Sequence, residues 1–299
     1  RHSTSNEKPK PLSPSSLESL LVCPMGWLLK QYGAEPNIWE PEGFTPLTSG
    51  SLAHAVFETI FPKGANYFEW HEVSKAIPPA FNSALRDTSP FLSTAEWAVE
   101  RQNLLGIIER AAEKWCEILN SLGATLVQPE IWLQGTFDNV AIHGQADAVL
   151  SLAERGTVVV DYKTAKADKY QQRMQAQMDL QASLYREMLK TGGPKQSHQD
   201  VAGILKSQAL TGVAYYTLRD QKTCSDFQPF KPIGGWRFHD HDVSSAGLAL
   251  LRERFEQLRR GEILLPRADD LKSLGKAGIQ DYALHVSLLT EMVLDEESA

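Results

Sequence analysis

Cysteine is scarce in this chain. Its three residues, Cys23, Cys116 and Cys224, are far apart and odd in number, which excludes a disulfide framework and points to a reducing compartment, here the cytoplasm. No apolar run approaches the roughly 20 residues that a membrane-crossing helix needs, so a membrane is not an expected partner. The opening residues, Arg1 to Pro11, are polar and lack the apolar segment of a signal peptide. Neither G-x-x-x-x-G-K-[ST] nor G-x-G-x-x-G occurs, so no ATP motor or dinucleotide fold is indicated within this chain. Internal repeats are missing too. Basic charge is not in excess: 30 Lys and Arg against 37 Asp and Glu give a net charge of −7. That weighs against a protein that coats nucleic acid, but not against an enzyme with a local basic channel.

What is present fits an ordered globular protein. The 299 residues are 42% hydrophobic and include seven tryptophans, enough for a substantial core. The first residue is Arg rather than Met, which suggests a segment cut from a longer polypeptide, or a processed chain. Residues 1–12 read as a flexible tail or linker.

The most informative stretch runs from Ile142 to Thr164, I-H-G-Q-A-D-A-V-L-S-L-A-E-R-G-T-V-V-V-D-Y-K-T. Two apolar runs flank a polar turn at Ala153 to Gly156, the pattern of a β-hairpin. Alternation along the second strand places Asp161 and Lys163 on one face and Tyr162 on the other. Asp147 follows Gly144 on the partner strand. In a suitable register, two carboxylates and an ammonium converge on one side of the sheet. Paired carboxylates repel unless a cation lies between them, and oxygen ligands of this kind suit Mg²⁺ or Mn²⁺. An adjacent lysine can meet charge developing on a phosphate or orient a water, the chemistry of metal-dependent phosphodiester hydrolysis. A lone D-x-K triplet is also a common surface ion pair, so its neighbours decide.

Along the chain, Ser15 and Glu18 are spaced as a capping box opening a first helix, which Cys23-Pro24 interrupts and Gly33 closes. Cys23 by itself reads as a small buried residue. A Pro- and Gly-rich loop, Pro36 to Pro46, precedes a second helix starting at Ser49, where His54 and Glu58 share a face. Residues 62–93 read as a polar span with weak helical signals around Pro78-Pro79. A long helix is expected from Glu96 to about Leu122, ended by Gly123. From Thr125 the period changes to two, giving a three-stranded antiparallel meander. Glu130 on its first strand points either toward the site or onto the solvated face, and the second is the expectation. The segment Asp168 to Lys190 reads as strongly helical, with Gln181 and Tyr185 on one face. Lys166, Lys169 and Arg173, at spacings of three and four, form a basic stripe just beyond Lys163, either a solvated face or a set of phosphate contacts. A linker (191–199), a strand at Gly212 to Leu218 and a loop-like stretch with a possible strand at 236–238 follow. His239-Asp240-His241-Asp242 reads as exposed loop, since consecutive residues cannot all ligate one ion. A helix over Ser244 to Gly261 and a final short helix before the acidic end complete the chain. A helix after a meander, then another strand, predicts an α/β fold with a mixed central sheet flanked by helices.

Taken in order, the segments S-P-S-S-L-E-S-L-L-V-C-P (13–24), G-S-L-A-H-A-V-F-E (50–58), G-Q-A-D-A-V (144–149), V-D-Y-K-T (160–164) and Q-A-S-L-Y (181–185) resemble the PD-(D/E)XK nuclease superfamily. The likeness is to the branch with the RecB nuclease domain and the C-terminal nuclease of AddB, over about residues 13–260. The resemblance implies a restriction-endonuclease-like core, about 123–220, with a helical insertion over about 62–122 and helical additions at both ends, all in one domain spanning 13–299. It implies that His54, Asp147, Asp161 and the carbonyl of Tyr162 bind Mg²⁺ or Mn²⁺, and that Lys163 positions or activates the attacking water. Gln181 and Tyr185 match the Q-x-x-x-Y helix, which contacts DNA or supports that lysine. Many members near AddB hold an iron–sulfur cluster through one Cys after the first helix and three near the C-terminus. Cys23 matches the first, but Leu265 to Ala299 contains no cysteine, so no cluster is expected, and apolar packing of the terminal helices must replace it.

The implied activity is a metal-dependent deoxyribonuclease, exonuclease in preference to endonuclease, acting on DNA, single-stranded ends above all. It would serve as the nuclease part of a helicase–nuclease or of a repair or defence protein, with a helicase domain or subunit as partner. A free-standing nuclease of phage defence or of a mobile element fits nearly as well. The rival reading is a catalytically inactive DNA-binding or scaffolding module that kept the nuclease fold.

Overall fold

Ser13 starts the first element of the computed structural model, which describes residues 10–33, 43–265 and 268–279. The expected tail over residues 1–9, the loop residues 34–42 and the final helix before the acidic end lie outside the described residues. Leu12, assigned to the tail, instead bridges Ile142 in parallel. Helix α1 (Pro14–Val22) is capped by Ser13, whose hydroxyl accepts from the Ser16 N–H at 3.2 Å. The cap is thus not the expected Ser15: proline at the first helical position fixes the start two residues earlier, and Glu18 pairs with Arg173. Cys23 separates α1 from α2 (Pro24–Gln31) and caps it, Sγ accepting from the Gly26 N–H at 3.3 Å. A side chain at Gly26 would press on that sulfur. Cys23 also packs with Val22, Leu274 and Ile279, an apolar contact between the first helix and the C-terminal described stretch.

Helix α3 (Pro46–Ile60) begins at the Thr45 cap, ahead of the expected Ser49, because Thr45-Pro46 supplies both an N-cap oxygen and a preset first turn. The span read as weakly helical contains α4 (Trp70–Thr88), with Pro78 and Pro79 inside it. Interior proline costs about 3 kcal/mol. Here the stripe Val73, Ile77, Ala80, Phe81, Ala84 and Leu85 is buried against α3 and the next helix, and that packing outweighs the broken hydrogen bonds. Helix α5 (Ala98–Leu122) ends, as expected, at Gly123 with φ 60°.

Strands β1 (Thr125–Phe137), β2 (Val140–Ser151) and β3 (Thr157–Lys163) form the expected antiparallel meander. The helix expected over Asp168 to Lys190 is two, α6 (Ala167–Gln175) and α7 (Leu180–Thr191), broken where Gln177 takes φ 56° and Asp179 caps the second. The expected linker holds β4 (Gly193–Pro194) and the start of α8 (Gln199–Ser207). β5 (Leu210–Thr217) lies parallel to β3, followed by β6 (Lys222–Ser225), β7 (Trp236–Phe238), α9 (Ser245–Arg259) and α10 (Ala268–Lys276). The seven-stranded mixed sheet runs β4-β1-β2-β3-β5-β6-β7. Helices α3, α4 and α5 cover one face, with Trp115, Tyr162 and Tyr216 in that core. Helices α1, α6, α7 and α9 cover the other.

His239 is buried at 7% exposure, against the exposed-loop expectation, while Asp242 accepts from the Ser244 and Ser245 N–H groups at the start of α9. All three cysteines are buried and free. Among the described residues, no helix is long and apolar enough to cross a membrane.

Candidate active site

The hairpin that reads so clearly in the sequence pairs over only part of its length. β2 and β3 are in register from Ser151↔Thr157 to Ala148↔Val160, and there the ladder stops. The Tyr162 N–H, next in line on β3, is taken by the Asp147 carboxylate through Oδ2. The strands therefore part where the polar residues begin. Asp147 uses its other oxygen, Oδ1, to meet His54 Nδ1 at 2.9 Å. His54 is delivered by α3, whose Leu52, Ala53, Val56 and Phe57 are buried and leave His54 at the helix edge facing the sheet.

Glu130 joins them. The register Pro129↔Ala148 and Ile131↔Ala146 sets it level with Asp147, and its backbone is left-handed at φ 47°. It is half-buried and lines the site, so the solvated-face expectation is corrected. Ligand atoms of His54, Glu130 and Asp147 all lie within 4.8 Å of one another, the one such group of three among the described residues. They line a cavity of about 710 Å³ with Glu58, Asp161, Lys163 and Lys169. Burial, then the carboxylates of Asp147 and Glu58, push the Glu130 carboxyl up to about 8. Burial pulls His54 down, but the adjacent Asp147 outweighs it and holds the imidazole above its ordinary range. Acids crowded so closely, with one imidazole between them, are a donor set that suits a hard divalent cation such as Mg²⁺ or Mn²⁺.

On the α7 side the charges are already matched. Asp161 and Lys163 form an ion pair on one face, and Tyr162 points the other way into Phe57, Trp115 and Tyr216, as strand alternation predicts. The Gln181 amide donates to Asp161 Oδ1 at 2.8 Å and accepts from Lys163 Nζ at 3.0 Å. The Tyr185 hydroxyl reaches Asp161 Oδ1 at 2.8 Å and the Gln145 carbonyl at 2.6 Å. Asp179, whose carboxylate accepts from the Ala182 N–H at 3.2 Å and the Tyr215 hydroxyl at 2.6 Å, fixes the start of α7 and so the placing of Gln181 and Tyr185. Burial, with Asp147 adding to it, raises the Asp161 carboxyl despite Lys163. Burial lowers the Lys163 ammonium, but Asp161 more than offsets this and holds it above the ordinary lysine range.

The basic stripe is divided in use. Lys166 is exposed at the start of α6, and Lys169 lines the cavity, where burial and then Arg173 bring its ammonium down to about 8. Arg173 turns inward, pairing with Glu18 and donating from Nε to the Gly278 carbonyl at 2.8 Å. It ties α6 to α1 and the C-terminal stretch. The structure brings His54, Asp147, Asp161, Lys163, Gln181 and Tyr185 to one place and adds Glu130, which was expected on the solvated face. Pro129 just before it was the available signal, since proline inside a strand pattern marks a bulge or kink.

A family model described as the PD-(D/E)XK nuclease superfamily matches residues 11–272. Among solved structures, a crystal structure of a protein from Eubacterium rectale, provisionally named an exonuclease, is similar over 93% of this chain and 88% of its own, at 14% identity and a TM-score of 0.47. No curated protein matches the chain.

Proposed function

The chain belongs to the PD-(D/E)XK nuclease superfamily, and from that premise we propose that it is a divalent-metal-dependent deoxyribonuclease working from single-stranded DNA ends. The observation that carries this is the parting of β2 and β3, where two acidic strand residues and a lysine converge beside His54 and Glu130.

His54, Glu130, Asp147 and Asp161 are the side chains that would hold Mg²⁺ or Mn²⁺, with the Tyr162 carbonyl as a further donor. The cation supplies a Lewis acid at the phosphate and a lowered pKa for water. Lys163 keeps its proton at neutral pH because Asp161 stabilises the ammonium. It serves as a preplaced positive charge for the phosphate and positions the attacking water. Gln181 and Tyr185 hold the Asp161 carboxylate in one orientation. Lys166 and Lys169 supply phosphate contacts along the approach, and Arg173 acts by fixing α6. The reading includes no iron–sulfur cluster, since Leu265 to Ala299 offers Cys23 no partner cysteine. The RecB- and AddB-like order of motifs supports a place beside a helicase domain or subunit.

The test is cleavage of end-labelled single- and double-stranded DNA in Mg²⁺, Mn²⁺ or EDTA. The expected result is metal-dependent release of short products from single-stranded ends. A folded chain that cuts nothing in any metal contradicts the reading and leaves the non-catalytic module standing.

A further inference from the structure

The face that carries Glu130 and Asp147 continues away from the metal-binding cluster. Residues two apart on a strand share a face and lie about 7 Å apart. The next level of that face is Trp132 opposite Gln145, and the one after is Gln134 opposite His143. On the reverse face Ile131, Leu133, Ile142 and Ala146 are buried in the core. Trp132 does not share in it. Among the described tryptophans, Trp27, Trp70, Trp97, Trp115 and Trp236 belong to the apolar clusters and Trp132 to none.

Its company is polar and cationic. Lys195 Nζ lies 4.1 Å from the centre of the Trp132 ring and 3.3 Å from His143 Nδ1. The His143 ring is 5.5 Å from Trp132 at 34°. β4 fixes the arrangement, since the Lys195 N–H donates to the Trp132 carbonyl at 2.9 Å. Burial and the nearby Lys195 hold the His143 imidazole below its ordinary range, so it is a neutral ring at neutral pH. Trp132 and His143 line a cavity of about 360 Å³ whose wall includes Gln145, Lys163 and Lys169, residues that also line the larger cavity of the metal-binding cluster. The two cavities thus share Gln145, Lys163, Lys169 and Tyr170 in their walls.

We propose that Trp132, with His143 and Lys195 beside it, is a stacking platform for an unpaired nucleobase next to the scissile phosphate. This rests on the nuclease reading and extends it to the substrate's form. A half-exposed indole over a strand face offers a base a flat apolar surface. Lys195 exchanges its position over the ring for the phosphate flanking that base. A base within a duplex has both faces covered by its neighbours and cannot use the platform, so the site selects single strands.

The experiment scans one abasic residue along a single-stranded oligonucleotide and measures kcat/KM for the first cut. Wild type, Trp132→Ala and Trp132→Phe are compared, with Mn²⁺ binding as the check on folding. A base–aromatic stack is expected to contribute about tenfold. Wild type should therefore lose about tenfold at one abasic position beside the cut. Trp132→Ala should lose as much on the intact strand and show no further loss at that position, and Trp132→Phe should recover most of it. A flat abasic profile in an active wild type overturns the platform alone, as does a Trp132→Ala profile identical to wild type. Failure of wild type to cut the intact strand overturns the nuclease reading and the platform with it.

Discussion

The two halves of the site stand in opposite electrostatic states. On the α7 side, Asp161 meets Lys163, Gln181 and Tyr185, so the protein itself supplies its counter-charge. On the α3 side, Asp147, Glu130 and Glu58 crowd around His54, and Glu130 responds by holding its proton up to about pH 8. One half is assembled by folding; the other waits for positive charge. The same hairpin supplies both, and the boundary is the point at which its ladder ends. Further along, Ala148 to Leu150 and Val158 to Val160 are apolar and buried on both faces. The closed part of the hairpin anchors the open part, which lets the open part tolerate unfavourable charge.

If the α7 half is preassembled, Lys163→Ala is the most damaging change. It removes the fixed cation and leaves Asp161 buried without its partner. Activity should fall by roughly three orders of magnitude, and stability by about 3 kcal/mol in denaturant unfolding. An active Lys163→Ala enzyme would break the comparison. Gln181→Ala sharpens it, since the amide only orients Asp161 and Lys163. A loss of about ten- to a hundredfold in kcat is expected, with Mn²⁺ affinity falling far less than in Asp147→Ala.

The smallest effect lies on the α3 side and is read by pH. The folded-state pKa of Glu130 is above its unfolded value, so Glu130 favours folding while protonated, and that contribution is lost as pH rises from about 4.5 to about 8. In EDTA, thermal stability should therefore decline across that window. Glu130→Gln should flatten the decline, and Mn²⁺ should reverse it by binding the ionised cluster. An unchanged pH slope in Glu130→Gln would show that the carboxyl is not under this strain.

Much of the molecule was legible in its sequence, for identifiable reasons. The meander showed because period-two alternation is local, and D-x-K placed Asp161 and Lys163 together by strand geometry alone. What was hidden depended on tertiary contacts. The prolines of α4 masked a helix whose apolar stripe is satisfied only by packing on α3 and α5. The break between α6 and α7 rests on a left-handed Gln177, a residue with no strong turn signal. β6 has four residues and earns its place only by pairing with β5 and β7. Glu130 was misjudged because alternation says which side of a strand a residue takes, but not which side is solvent. Arg173 looked like part of a phosphate-binding stripe and is spent on Glu18, 155 positions away in sequence.

The most direct test of the contrast is a Mn²⁺ titration by calorimetry of wild type, Asp147→Ala and Lys163→Ala. The account predicts that wild type and Lys163→Ala bind Mn²⁺ with similar affinity, and that Asp147→Ala loses binding. Undiminished Mn²⁺ binding by Asp147→Ala would contradict it.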